Sequence, residues 1–87
     1  MTIARTDIFK KDFLALPPEV QKATAKQIAQ LLIDHFHPSL NLEGIKGHQG
    51  LFSARVNQRY RISLSFQGSD TLLLRRVFDH DDLYWRP

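Results

Sequence analysis

Between Leu51 and Phe66 the chain reads LFSARVNQRYRISLSF, and its apolar residues recur at every second position. Phe52, Ala54 and Val56 alternate with Ser53 and Arg55. Tyr60, Ile62, Leu64 and Phe66 alternate with Arg61, Ser63 and Ser65. A period of two with one apolar side describes two half-buried antiparallel strands. A three-residue turn, Asn57-Gln58-Arg59, sets Val56 against Tyr60, Ala54 against Ile62 and Phe52 against Leu64, so all apolar side chains share a face. A two-residue turn would set Arg55 against Tyr60 and mix the faces. A one-residue slip turns every side chain over, so burial selects the odd loop. The same register sets Ser53 against Ser63 and Arg55 against Arg61. Like charges directly opposite are unfavourable unless an anion lies between them. The pair reads in two ways: guanidiniums splayed into solvent, or a grip on an anion.

Gly68-Ser69-Asp70 is a turn, and Thr71 to Phe78 is a third strand. Arg75 and Arg76 are consecutive there, so one of them must face the covered side, which predicts a bulge or a sheet edge. The closing HDDLYWRP leaves no room for a long helix. Ahead of the meander, HPSLNLEGIKGHQG (37–50) holds three glycines and a proline and is a loop. Before it, Pro18 to about Phe36 is a helix with Val20, Thr24, Ile28, Leu31, Leu32 and Phe36 as its apolar stripe. Glu19 faces the positive dipole end, and Pro38 stops the helix. Thr6 or Asp7 caps a shorter helix with Ile8, Phe9, Phe13 and Leu16 at helical spacing, ended by Pro17-Pro18. Thr2 to Arg5 fits a short first strand. The order is α+β: a short strand and a two-helix hairpin on a three- to four-stranded antiparallel sheet. A chain of 87 residues makes one small domain, 1–87.

Composition narrows the function classes. The hydrophobic fraction, 43%, is too high for disorder. The chain has no cysteine, which excludes a disulfide scaffold and cysteine-based zinc sites. Its apolar runs, such as Leu31 to Ile33 and Leu72 to Leu74, are far too short to span a membrane. MTIARTDIFKK carries an acid early and has no apolar core of a secretory signal, so an intracellular, cytoplasmic location is expected. The net charge is +3, unevenly spread. Residues 44–76 hold Lys46, Arg55, Arg59, Arg61, Arg75 and Arg76 against Asp70 alone, whereas residues 77–87 hold Arg86 against Asp79, Asp81 and Asp82. Arginine is favoured where phosphate is gripped bidentately. The middle is either a solvated basic face or a nucleic-acid surface.

The stretches LEGIKG (42–47), LFSARVNQRYRI (51–62) and VFDHDDLYW (77–85), in this order and spacing, resemble the RelE/ParE toxin superfamily of bacterial toxin–antitoxin systems over nearly the whole chain. The resemblance implies the RelE-like fold and no metal or cofactor. It implies one of two targets: RelE-like members cut mRNA in the ribosomal A site, and ParE-like members inhibit DNA gyrase. A catalytically degenerate, antitoxin-binding member is a third reading. The implied partner is a cognate antitoxin whose acidic or amphipathic segment wraps the molecule and covers the basic face. The toxin would then be a monomer or part of a toxin–antitoxin hetero-oligomer.

Site residues follow from the same resemblance. Arg61 matches the arginine that contacts the scissile phosphate in RelE-like nucleases. Arg55 falls where RelE carries a lysine, and Lys46 matches the basic residue of the Lys-Gly loop. Tyr84 matches the near-terminal aromatic that stacks on or orients the substrate base. His80 resembles a histidine just before it in several members, and Glu43 is spaced from Lys46 like the general-base glutamate of YoeB-like relatives. Arg59 and His48 extend the candidate RNA contacts. Two departures stand out: Ser53 replaces a further lysine of RelE, and Asp81 and Asp82 flank His80 with charges that repel RNA.

Metal-free RNA cleavage uses the substrate's own 2′-OH as nucleophile. A base takes its proton, cations stabilise the phosphate, and an acid protonates the leaving 5′-oxygen. Arg61 and Arg55 keep their protons and suit only the second role. His80 or Glu43 suits base or acid, and Tyr84 stacks or donates a proton. Each has a structural alternative. Tyr84 and Trp85 can close the bottom of a small core, the better reading for Trp85. His80 can pair with Asp81 or Asp82, and Glu43 can cap its loop. His35, His37, His80 and Asp79 lack metal-binding spacing.

Overall fold

The computed structural model describes residues 1–87. The elements run β1 (Thr2–Arg5), α1 (Asp7–Ala15), α2 (Pro18–Ile33), a 3-10 turn (Pro38–Leu40), β2 (Glu43–Gly44), β3 (Phe52–Arg55), β4 (Tyr60–Gln67), β5 (Thr71–Asp79) and α3 (His80–Trp85). No helix is long and apolar enough to cross a membrane.

The three-residue turn holds, and with it the whole register: Phe52 faces Leu64, Ser53 faces Ser63, Ala54 faces Ile62 and Arg55 faces Arg61. The Asn57 side chain fixes this turn by accepting from the backbone N–H groups of Arg59 and Tyr60, both at 2.9 Å. Next to it, β4 and β5 pair antiparallel from Gln67 and Thr71 to Tyr60 and Asp79. The consecutive arginines produce the expected bulge. Ser63 pairs with Arg76 and Leu64 with Leu74, so Arg75 is the extra residue.

The sheet has five strands in the order β1-β5-β4-β3-β2, and it is mixed. This corrects the antiparallel three- to four-stranded expectation. Strand β1 runs parallel to β5, because the two-helix hairpin between β1 and the meander returns the chain on one face of the sheet. Strand β2 has only Glu43 and Gly44 and carries no alternation to read. Beyond Arg5 the outer edge of β5 has no strand neighbour. Thr6 donates its hydroxyl to Arg75 O at 2.7 Å, and the Asp12 carboxylate accepts from Val77 N–H at 3.2 Å. Asp12 also holds Arg76 through Nε and Nη2 at 3.0 and 3.1 Å. Side chains from α1 thus blunt an exposed sheet edge.

Thr6 caps α1, accepting from Phe9 N–H at 3.0 Å. Phe9 and Leu16 are buried while Ile8 is exposed. Helix α2 ends at Ile33, not near Phe36. Asp34 leaves the helix and its carboxylate accepts from Phe36 N–H at 3.0 Å, competing with the next helical turn. Pro38 also disfavours helical geometry at His37. Phe36, beyond the helix end, is therefore exposed; Leu32, within the helix, is exposed too, and the buried stripe is Val20, Thr24, Gln27, Ile28 and Leu31. The helices bury this stripe against Ala54, Ile62, Leu64, Leu72, Leu74 and Val77.

Candidate functional site

Residues that pair across strands share a face, so register alone lays out two rows on the sheet surface away from α1 and α2. One row is Glu43, Ser53, Ser63 and Arg76 across β2, β3, β4 and β5. The next is Arg55, Arg61 and Phe78. The guanidinium of Arg76 lies over the Phe78 ring at 4.4 Å.

Helix α3 partly covers these rows. It starts directly from β5, with Asp79 as its N-cap accepting from Asp81 N–H at 3.0 Å. Leu83 is fully buried beneath it. The Tyr84 hydroxyl sits 3.3 Å from the Ser53 hydroxyl. Ser53 is thus a buried anchor for the tyrosine. Ser63, opposite Ser53, is also buried and its hydroxyl has no partner. Strand alternation alone predicts an open polar face here. Its centre is closed because serines are small enough for a short helix to settle on them.

Arg61 is only 8% exposed. Its Nη1 donates to the carbonyls of Asn57, Gln58 and Tyr60 in the β3–β4 turn. No carboxylate of the chain pairs with it. Burial pulls its pKa below the ordinary value, and Arg55 opposite adds to the pull. The nearby Tyr84 and Glu43 act against it. The guanidinium is therefore held rigidly as a cation, with Nε and Nη2 not engaged by the turn. Arg55 is exposed.

Two adjoining clefts meet at His80. One, about 610 Å³, is lined by Arg59, Arg61, Asp79, His80 and Asp81. The other, about 450 Å³, is lined by Glu43, Lys46, His80 and Tyr84. The His80 ring stands edge-on to Tyr84, with centroids 4.5 Å apart, and its Nδ1 lies 3.2 Å from Asp81 Oδ1. Arg61, Arg55, Glu43, Lys46, His80 and Tyr84 are thus brought to one side of the molecule. No group of three His, Asp or Glu side chains is placed to hold a metal ion.

Arg59 and His48, the further candidate contacts, fall in different clefts, and Trp85 departs from its expected core position. Arg59 is paired, its Nε 2.7 Å from Asp79 Oδ2. That hydrogen bond raises the Arg59 pKa and lowers that of Asp79. His48 lies in another cleft, with Trp85 and Arg75. Trp85 closes no core, being 82% exposed. Because α3 places Tyr84 over Ser53, its next residue must point elsewhere.

Two contributors were not legible as such. Gln27 is buried in α2, and its amide donates to Ser39 O at 3.1 Å and Arg55 O at 2.8 Å, fixing the backbone under Arg55. A polar residue inside an apolar stripe was the available signal. Asn57 builds the carbonyl cage of Arg61, which only its turn geometry reveals.

No family model and no curated protein matches the chain by sequence. Solved structures do match. The RelB–RelE antitoxin–toxin complex from Methanococcus jannaschii aligns at a TM-score of 0.76 and 24% identity, over 97% of this chain and 99% of that one. The YoeB/ParE toxin from Agrobacterium tumefaciens aligns at 0.77 and 19%, over 92% and 99%. The E. coli DinJ–YafQ complex aligns at 0.70 and 21%, over 93% and 94%. Coverage is nearly complete in both directions: the chain has the fold of the RelE/ParE toxin superfamily.

Proposed function

We propose that this chain is the toxin of a type II toxin–antitoxin pair and that it cuts messenger RNA on the ribosome. The observation that carries the reading is the gathering of Arg61, Glu43, Lys46, His80 and Tyr84 around two clefts that share His80, with Arg55 paired to Arg61 across the strands. Neighbours of the same fold crystallised as toxin–antitoxin complexes support a cognate antitoxin as partner. A scissile phosphate over the Arg55–Arg61 pair relieves the repulsion between them. Glu43, exposed on a two-residue edge strand, takes the 2′-OH proton. The oxygen attacks phosphorus, and His80 protonates the departing 5′-oxygen. Arg61, already fixed by the turn carbonyls, stabilises the charge on the phosphoryl oxygens without reorganising. Lys46 holds the strand, and Tyr84 offers a ring to a base.

Inducing the chain in bacteria and mapping transcript 5′ ends tests this. New cuts within coding sequence, with translation arrested, are expected. Arg61→Ala should lose roughly 100-fold or more of the cleavage while the chain stays folded. DNA, lacking the 2′-OH, should remain intact. Continued translation with no new ends overturns the reading.

A second reading is gyrase inhibition. It is favoured by Asp81, whose side chain is 91% exposed, and by exposed Asp82, both beside His80 where RNA would pass. Normal supercoiling by gyrase in excess protein removes it.

A further inference from the structure

On the other side of the last turn of α3 from Tyr84 lies a cleft of about 410 Å³ that the catalytic reading leaves unused. Arg75, Arg86, His48 and Trp85 line it, and no Asp or Glu does. Arg76 also borders it but is already neutralised by Asp12. Arg75 is the bulge residue, and its Nε is buried without any acceptor. No carboxylate or carbonyl of the chain accepts from the Arg75 guanidinium, so an anion in the cleft meets a cation with no competing partner. Arg86 and the Trp85 indole are exposed. Two free guanidiniums beside a bare aromatic face suit a phosphate and the base attached to it.

The walls of this cleft continue those of the candidate site. Lys46 borders one and His48 the other, two residues apart. Tyr84 borders one and Trp85 the other, on adjacent positions ~3.8 Å apart along the chain. The loop between Lys46 and Leu51 is a compact double turn. His48 N–H donates to Ile45 O at 3.0 Å, and Leu51 N–H to His48 O at 3.1 Å. Gly47 and Gly50 take φ of 83° and 82°, which side-chain-bearing residues rarely adopt. The two clefts are therefore lined by neighbouring stretches of chain, and a strand crossing the last turn of α3 passes from one to the other.

We propose that this cleft is a second nucleotide subsite: Arg75 and Arg86 hold a backbone phosphate of the RNA strand running past α3, and Trp85 stacks on one of its bases. The proposal rests on the ribonuclease reading for its ligand. It also gives His48 a role, since its ring borders the same cleft.

Trp85 is the single tryptophan, so its fluorescence reports this cleft alone. The probe is a mixed-sequence single-stranded octanucleotide with 2′-O-methyl at every position, which binds but cannot be cut. Titrated into the purified chain, it should quench the indole. With a labelled copy read by anisotropy, Trp85→Ala should weaken binding roughly 5- to 100-fold. Arg86→Gln, at an exposed position, should weaken it and flatten the salt dependence by about one unit of log–log slope. Binding without quenching, or wild-type affinity in both variants, overturns the subsite. So does quenching by an acidic decapeptide but not by the RNA. If the wild type cuts no transcript yet quenches and Arg86→Gln flattens the slope, the subsite stands and only cleavage falls. If transcripts are cut while both variants bind normally, cleavage stands and the subsite falls.

Discussion

Toward α1 and α2 the sheet presents Ala54, Ile62, Leu64, Leu72, Leu74 and Val77, all fully buried. Away from these helices it presents Glu43, Ser53, Arg55, Arg61 and Ser63, of which the six-residue α3 helps to bury only Ser53, Arg61 and Ser63. Each large apolar side chain on the first face contributes on the order of 1.5–3 kcal/mol by leaving water. The second face buries polar groups instead: a serine hydroxyl with no partner, and a guanidinium held by carbonyls without a counter-ion. The first face holds the molecule together. The second spends some of that stability on a rigid cationic surface, the usual relation between a scaffold and a strained or polar site.

This division is breakable from either side. Leu64→Ala removes a side chain with no exposure from the middle of β4 and should cost about 2–5 kcal/mol in urea unfolding. Transcript cleavage per folded molecule should not change; if it falls in step with stability, the two faces are not separable. Gln27→Ala crosses the division. It leaves the carbonyls of Ser39 and Arg55 without their shared donor, so a loss of about 1–3 kcal/mol is expected. Because that carbonyl belongs to Arg55, cleavage should drop beyond the stability loss. Unchanged cleavage would mean the end of β3 needs no support from α2.

The same division governs what sequence reading could reach. Alternation from Phe52 to Phe66 was enough for the β3–β4 register, since only one register buries all the apolar residues. The consecutive arginines of β5 were enough to mark an irregularity, a bulge or an edge, and the bulge is what forms. Helix α2 was misread at its end, because Leu32 and Phe36 fit the period while Asp34 and Pro38 act locally against it. On the α3 side little was legible. Burial of Ser53, Ser63 and Arg61 depends on a helix too short to show a period. The exposure of Trp85 follows from where that helix lands, whereas composition alone favours burying an indole. Arg61 and Arg55 were found by register. Glu43, Lys46, His80 and Tyr84 were found by resemblance, and it took coordinates to bring them together. Gln27 and Asn57 work through backbone contacts that no spacing encodes.

Smaller changes sharpen the contrast on the α3 side. Ser63→Ala deletes a buried hydroxyl that has no partner, so it should leave stability unchanged or raise it by up to about 1 kcal/mol. A clear loss in urea unfolding would mean that the hydroxyl finds a partner in solution.

The smallest expected effect lies at the start of α3. Asp79 accepts from Arg59 Nε at 2.7 Å and from Asp81 N–H at 3.0 Å, so it joins the turn near Arg61 to the helix carrying His80 and Tyr84. The Arg59 hydrogen bond, then that from Asp81, lowers its pKa from the ordinary 3.8. A depressed carboxyl contributes stability that is fully present above the unfolded value and is lost as pH falls through the folded one. Asp79→Asn keeps a helix cap but removes the charge. The melting temperatures of wild type and variant should therefore differ by a constant, small amount above about pH 4 and converge as the pH falls further. Salt should shrink the gap at neutral pH, because the pair is exposed. A gap that persists at the acid end of the titration, once the carboxyl is protonated, would show the substituted amide to be a poor cap. The anchoring of α3 would then rest on the backbone hydrogen bond rather than on the ion pair.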